Sequence, residues 1–153
     1  MKKIILLSLA LACCVVTAAG QQKSESAKRR AVNLPGSTPN GLFSAAVVSG
    51  DLVFTSGQIG VDPKTGQLAE GGTAGQLEQV FKNLAAALEA AGSSTEHILK
   101  ATVFLADMAD YNTMNELYRK QFKGDPPART TIQVAALPRN ARIEIEAVAV
   151  RKN

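Results

Sequence analysis

Residues 142–151 read RIEIEAVAVR, and this run constrains the fold more than any other part of the chain. Side chains along a strand alternate between faces, so Ile143, Ile145, Ala147 and Ala149 share one side, and Glu144, Glu146, Val148 and Val150 share the other. The first side is a core face. The second is neither a plain solvent face nor a plain core, because two valines stand in line with two carboxylates. A half-apolar sheet face of this kind points to burial against another subunit, where each charge needs a partner or a task.

The other elements follow from period and punctuation. Residues 45–48 and 52–56 have strand character and flank a Ser49-Gly50-Asp51 turn, which predicts an antiparallel hairpin. Residues 61–66 are dense in turn formers and read as an exposed loop. Residues 73–91 form the clearest helix: Leu77, Val80, Leu84, Leu88 and Ala91 recur at spacings of three and four, Thr73-x-x-Gln76 has the form of a capping box, and Gly92 stands as the C′ residue. Residues 98–105 (ILKATVFL) predict a strand, and 106–110 a loop with Asp110 as N-cap of a second helix over 111–122. That helix turns Met114, Leu117, Tyr118 and Phe122 inward. Gly124-Asp125-Pro126-Pro127 breaks it, and 128–135 returns to strand. The order is β-β-α-β-α-β-β, an α+β fold whose two helices pack on one face of a mixed sheet. A chain of 153 residues leaves room for one such domain.

Residues 1–20 read as a signal peptide, with Lys2 and Lys3 ahead of an apolar run over 4–16 and then Thr17, Ala18, Ala19 and Gly20. The run is well short of the roughly 20 residues that span a bilayer. Cleavage after Ala18 or Gly20 is the expected outcome; lipid attachment at Cys13 within a loose lipobox (LALAC), or an uncleaved anchor, are the alternatives. Both cysteines, Cys13 and Cys14, lie here, so residues 31–153 offer no thiol for a disulfide, a metal or nucleophilic attack. Residues 21–30 (QQKSESAKRR) read as a polar flexible linker. The net charge of +4 and pI near 9.2 come largely from these leading segments. Of 17 basic and 13 acidic residues, six basic and one acidic precede Ala31, which leaves 11 against 12 in the domain. A near-neutral domain has little electrostatic support for binding nucleic acid.

The sequence has no phosphate-binding glycine loop, no zinc-ligand spacing and a single histidine, His97, which reads as a surface residue. What remains is Arg129 behind a stiff Pro-Pro turn, and the carboxylates Glu144 and Glu146. The guanidinium fork suits a planar carboxylate, although an exposed strand-end arginine or an internal ion pair would use the same residue. Glu146 likewise reads as a solvent-facing strand residue, and Ser56 and Gly57 as ordinary turn residues.

Several stretches in order resemble the RidA (YjgF) family: Val53-Phe54-Thr55-Ser56-Gly57-Gln58-Ile59, 83–92 (NLAAALEAAG), 100–108 (KATVFLADM), Pro127-Ala128-Arg129-Thr130-Thr131, 134–138 (VAALP) and 143–147 (IEIEA). The likeness spans roughly residues 41–151. It implies a chorismate-mutase-like fold closing into a homotrimer with clefts between subunits. It also implies that Arg129 grips the carboxylate of a 2-imino acid and that Glu146 activates water. Ser56 and Gly57 would lie beside the ligand, and Asn115 in the supporting polar shell. No metal or cofactor is implied. Confinement in such a cleft should raise the glutamate pKa. Two positions depart from the family pattern: Gly41-Leu42-Phe43 carries a phenyl ring where a tyrosine is usual, and Thr131 replaces a frequent cysteine.

The resemblance implies hydrolytic deamination of reactive 2-imino acids or their enamine tautomers to 2-oxo acids and ammonia, and the leader adds the expectation of an exported, periplasmic or lipid-anchored protein. The loss of the phenol at Phe43 keeps open a ligand-binding or stress-protective module with little turnover. Endoribonuclease action, attributed to some members, fits the charge balance least.

Overall fold

The computed structural model describes residues 28–34 and 42–152. The expected signal peptide with its Cys13 site, residues 21–27 of the expected linker, and Gly41 lie outside the described residues.

The elements are β1 (Arg30–Val32), β2 (Ala46–Ser49), β3 (Leu52–Thr55), β4 (Gln58–Ile59), α1 (Gly72–Ala90), β5 (Ile98–Leu105), α2 (Tyr111–Arg119), β6 (Ala128–Gln133) and β7 (Ile143–Val150). They form one mixed sheet in the order β1-β2-β3-β7-β5-β6, with β4 joining β7 beyond the end of β3. Only the β5–β6 pair is parallel. The expected hairpin, both helices and the last three strands are all present. β1 and β4 are additional. β1 begins at Arg30, the last residue of the stretch expected to be a linker, and buries only Val32, too faint a pattern to read from sequence. α2 ends at Arg119, short of the expected 122, because the chain tightens into i→i+3 bonds from Gln121 and Phe122; Phe122 still reaches the core.

The core lies between α1 and β7. Leu77, Val80, Leu84 and Leu88 pack toward Ile143, Ile145, Ala147 and Ala149, with Val53, Ala101, Val103 and Leu105 extending the floor. Gly92 adopts φ +84°, and the amides of Gly92 and Ser93 donate to the carbonyls of Glu89 and Leu88. That is the left-handed helix end for which glycine is best suited.

The two expected N-caps act differently. α1 starts one residue before Thr73, and the helix makes no side-chain cap. The Thr73 hydroxyl instead donates to Asp110 Oδ2 at 2.6 Å, and Gln76 Oε1 accepts from the Arg142 amide at 2.8 Å. Asp110 likewise caps nothing; its Oδ2 also takes Arg142 Nε at 3.0 Å and Nη2 at 2.7 Å. The residues that sequence pattern assigns to helix starts therefore tie α1, α2 and the approach to β7 together.

The sheet face away from the helices carries cross-strand rows: Ile59, Glu144, Phe104 and Ile132 in one, Glu146 and Thr102 in the next, then Phe54 with Val148, and Leu52 with Val150. Phe54 and Ile132 are each more than 40% exposed on it.

Asp110→Ala should cost about 1–2 kcal/mol, since it removes hydrogen bonds at a partly exposed ion pair. Urea unfolding checks this: the midpoint should fall with an unchanged slope, and Arg142→Ala combined with it should add little.

Candidate active site

The first group of site residues is built by a bulge. Phe54 pairs with Val148 and Gln58 with Ile145, so four steps along β3 and β4 face three along β7. The extra residue is absorbed at Thr55-Ser56-Gly57. There the Thr55 hydroxyl substitutes for a backbone partner, accepting from the Ala147 amide at 2.9 Å and donating to the Ala147 carbonyl at 3.4 Å. Bulges of this type re-aim side chains next to functional sites. The result is that Glu144 lies directly over Gly57: a Cβ built there would sit 1.7 Å from Glu144 Oε1. A side chain at position 57 would have to displace that carboxylate.

A cavity of about 390 Å³ opens at this point, lined by Phe43, Ser56, Gly57, Ile59, Pro138 and Glu144. Its walls are mainly apolar, and Phe43 forms an open rim at 65% exposure. The Ser56 hydroxyl donates to the Ser44 carbonyl at 2.7 Å, which leaves its oxygen to act as an acceptor. Burial pushes the Glu144 carboxyl above the usual glutamate range, and the neighbouring negative charge of Glu146 adds to the rise.

The expected carboxylate, Glu146, lies outside this group. Glu146 is exposed, pairs with Thr102, and lines a separate hollow with Phe54, Lys100 and Val148. The reason is register: β4 places Ile59 opposite Glu144, and no β4 residue pairs with Glu146.

The second group surrounds Arg129. β6 pairs Arg129 with Ala101 and Thr131 with Val103, so both face the helix side, above α2. Arg129 Nη2 donates to Asn115 Oδ1 at 2.6 Å, Nη1 approaches Met114 Sδ at 3.5 Å, and the guanidinium carbon stands 4.6 Å from the Tyr118 ring centre and 5.9 Å from that of Tyr111. Among the described residues no carboxylate pairs with this partly buried cation; the ion pair seen there is Arg142 with Asp110. The Thr131 and Tyr118 hydroxyls are buried without a hydrogen-bond partner. Burial pushes the Tyr118 phenol up to about 12, against a smaller opposing effect of Arg129.

The chain thus assembles the expected residues into two sets. Phe43, Ser56 and Gly57 meet at Glu144, whereas Arg129, Thr131 and Asn115 meet at α2. β4 and β6 are separated by β7 and β5, which is three strand spacings or roughly 14 Å. The two charged groups also point to opposite faces. His97, outside both sets, shares a 2.7 Å hydrogen bond with Ser94. Among the described residues, no three histidine, cysteine or acidic side chains cluster as a metal site. Sequence reasoning singled out Glu144 only as one of two carboxylates on the mixed face of the last strand, placed Tyr118 in the inner stripe of the second helix, and gave Tyr111 no part beyond the start of that helix.

Gly57→Ala should cost little stability, under about 1 kcal/mol, because the Glu144 carboxyl is the flexible end of its side chain and turns aside from the new methyl. Adding Glu144→Ala should remove what cost there is, and a double-mutant cycle by chemical unfolding should read a correspondingly small coupling. The sign of the Glu144 shift gives a pH test. A raised folded-state pKa means the group favours folding in its protonated form, so its contribution is full below the usual glutamate range and is lost as pH climbs through the raised value. Relative to Glu144→Gln, the wild type should lose stability with rising pH over that window; parallel stability curves for the two proteins would contradict it.

The model of the endoribonuclease L-PSP family matches residues 36–151. The 2-iminobutanoate/2-iminopropanoate deaminase of Homo sapiens is 50% identical over 111 residues, covering 72% of this chain and 81% of the human protein. Among solved structures, yeast Mmf1 aligns with a TM-score of 0.74 at 34% identity, covering 82% of this chain and 100% of that one. TdcF of E. coli, solved with bound serine, aligns with a TM-score of 0.72 at 38% identity, covering 80% of this chain and 99% of that one.

Proposed function

Because this chain belongs to the endoribonuclease L-PSP family, also called RidA or YjgF, we propose that it hydrolyses reactive 2-imino acids and their enamine tautomers to 2-oxo acids and ammonia. The observation that carries the reading is Arg129, a partly buried cation oriented by Asn115 and without a carboxylate partner among the described residues. Such a fork is suited to the carboxylate of a small substrate. Similarity to curated deaminases supports the reaction type, and serine bound to TdcF supports a ligand that carries an α-carboxylate.

The chemistry asks for three things: an anchored substrate, a positioned water and a proton for nitrogen. Arg129 supplies the anchor. Glu144 holds water against the imine carbon and takes a proton as oxygen adds. It returns that proton to nitrogen to give the carbinolamine, then takes the hydroxyl proton and passes it to the amino nitrogen as the C=O bond forms and the C–N bond breaks, releasing ammonia and the 2-oxo acid. A carboxyl whose pKa is raised by burial holds its proton more readily than an ordinary glutamate, which suits it to both halves of this cycle. Phe43 has no hydroxyl to join the relay, so Glu144 bears the proton transfers alone. That same absence favours the second reading, a binding module with slow turnover. RNA cleavage finds no support in a domain with 11 basic and 12 acidic residues after residue 30.

The reading includes a homotrimer in which Glu144 of one subunit meets Arg129 of the next. The roughly 14 Å between the two sets within one chain, and the apolar content of the open sheet face, support it. Export to the periplasm, with or without a lipid at Cys13, is supported by the charge and hydropathy pattern of residues 1–20.

The test is ammonia release from freshly generated 2-iminobutanoate and 2-iminopropanoate. The wild type should accelerate it strongly. Arg129→Ala should act mainly on KM, and Glu144→Gln should lower kcat by about 10²- to 10⁴-fold. Glu146→Gln should leave far more activity than Glu144→Gln; the reverse order would return the role to Glu146. Ligand binding by a trimeric wild type that does not accelerate release would favour the binding module.

A further inference from the structure

We propose that Tyr118 is a positioning residue: its ring face holds the Arg129 guanidinium in the orientation that receives the substrate carboxylate. The proposal rests on the reading of Arg129 as that anchor.

Tyr111, Met114, Asn115 and Tyr118 recur at the three- and four-residue spacing of one helical stripe, and all four meet Arg129. They constrain it in different ways. Asn115 Oδ1 takes an N–H from Nη2 and so fixes rotation within the guanidinium plane. The Tyr118 ring centre at 4.6 Å is well inside the range of a cation–π contact, while Tyr111 at 5.9 Å lies at its limit. Asn115 and Met114 engage one N–H on each terminal nitrogen and Tyr118 one face, and of the five N–H groups three are left for an anion. An arginine clamped in advance loses less freedom when it grips a ligand.

The ring is itself immobilised. Tyr118 is 3% exposed, with Phe122 at 5.0 Å and Phe81 of α1 at 5.5 Å between ring centres. Its hydroxyl has no partner, so no hydrogen bond from the phenol explains its placement. The ring face is what the site uses, and the core of α1 is connected to the anchor through Phe81.

The experiment measures KM and kcat for 2-iminobutanoate, and the Kd of its product 2-oxobutanoate, in the full trimer-forming protein. Tyr118→Leu should raise KM and Kd about three- to thirty-fold with a smaller effect on kcat, in line with one desolvated cation–π contact. Tyr118→Phe should recover most of that loss. Leu88→Ala, a core cavity under α1, controls for lost stability and should not produce the KM-against-kcat split. Progressive fluorination of a phenylalanine at position 118 should raise Kd stepwise, because it weakens the ring quadrupole while keeping the shape. The proposal is overturned if Tyr118→Leu shifts KM no more than Leu88→Ala, if Tyr118→Phe is as damaging as Tyr118→Leu, or if fluorination has no effect. Arg129→Ala separates the two levels: no change in KM or Kd there would defeat the anchor itself, whereas a rise there without one in Tyr118→Leu defeats only the role of Tyr118.

Discussion

Burial of one row of β7 beneath α1 is the interaction on which the rest depends. Ile143, Ile145, Ala147 and Ala149 face Leu77, Val80, Leu84 and Leu88, and each of these β7 residues is at most 4% exposed. Alternation then leaves Glu144, Glu146, Val148 and Val150 no choice of side. Every functional consequence of β7 follows from that row: the strand has β3 and β4 on one edge, β5 on the other, and its polar row projects away from the helices.

A bulge converts this regular strand into a site. With unbroken pairing, the β3 ladder would have continued to Ala147 and beyond with backbone groups alone. The Thr55 hydroxyl instead bridges to Ala147, the chain gains a residue, and Gly57 comes under the carboxylate of Glu144. The same economy is visible at the helix starts, where Thr73, Gln76 and Asp110 give up local capping to bind Arg142 and one another. Side chains with strong local options are used for long-range ties, and the pieces of the site are held by elements distant in sequence.

The electrostatics of the two sets are complementary. Glu144 carries a raised pKa from burial and a like-charged neighbour, and Arg129 is partly buried without an anion among the described residues. Both conditions cost stability in an isolated chain. In the proposed reaction a substrate carboxylate would relieve the cation, and proton exchange with substrate would use the carboxyl. Aromatic stacking beneath Arg129 lowers the cost of holding it ready.

Sequence by itself determined the class of fold, the hairpin, both helices, the core row of β7 and the mixed character of its other face, because those features are periodic and local. Arg129, Ser56, Gly57, Phe43, Thr131 and Asn115 were named as candidate site residues through resemblance to a family, and the structure gathers them into two sets. Which of Glu144 and Glu146 stands beside Ser56 and Gly57 was not legible, since both occupy the same face two residues apart and only the register of β4 against β7 separates them. Register depends on a bulge whose cost and benefit are set by residues across the sheet. The short strands β1 and β4, the Thr73-Asp110-Arg142 tie and the stack of Tyr118 on Arg129 were likewise decided only in three dimensions. Each joins residues more than ten positions apart, and no local pattern encodes a partner at that separation.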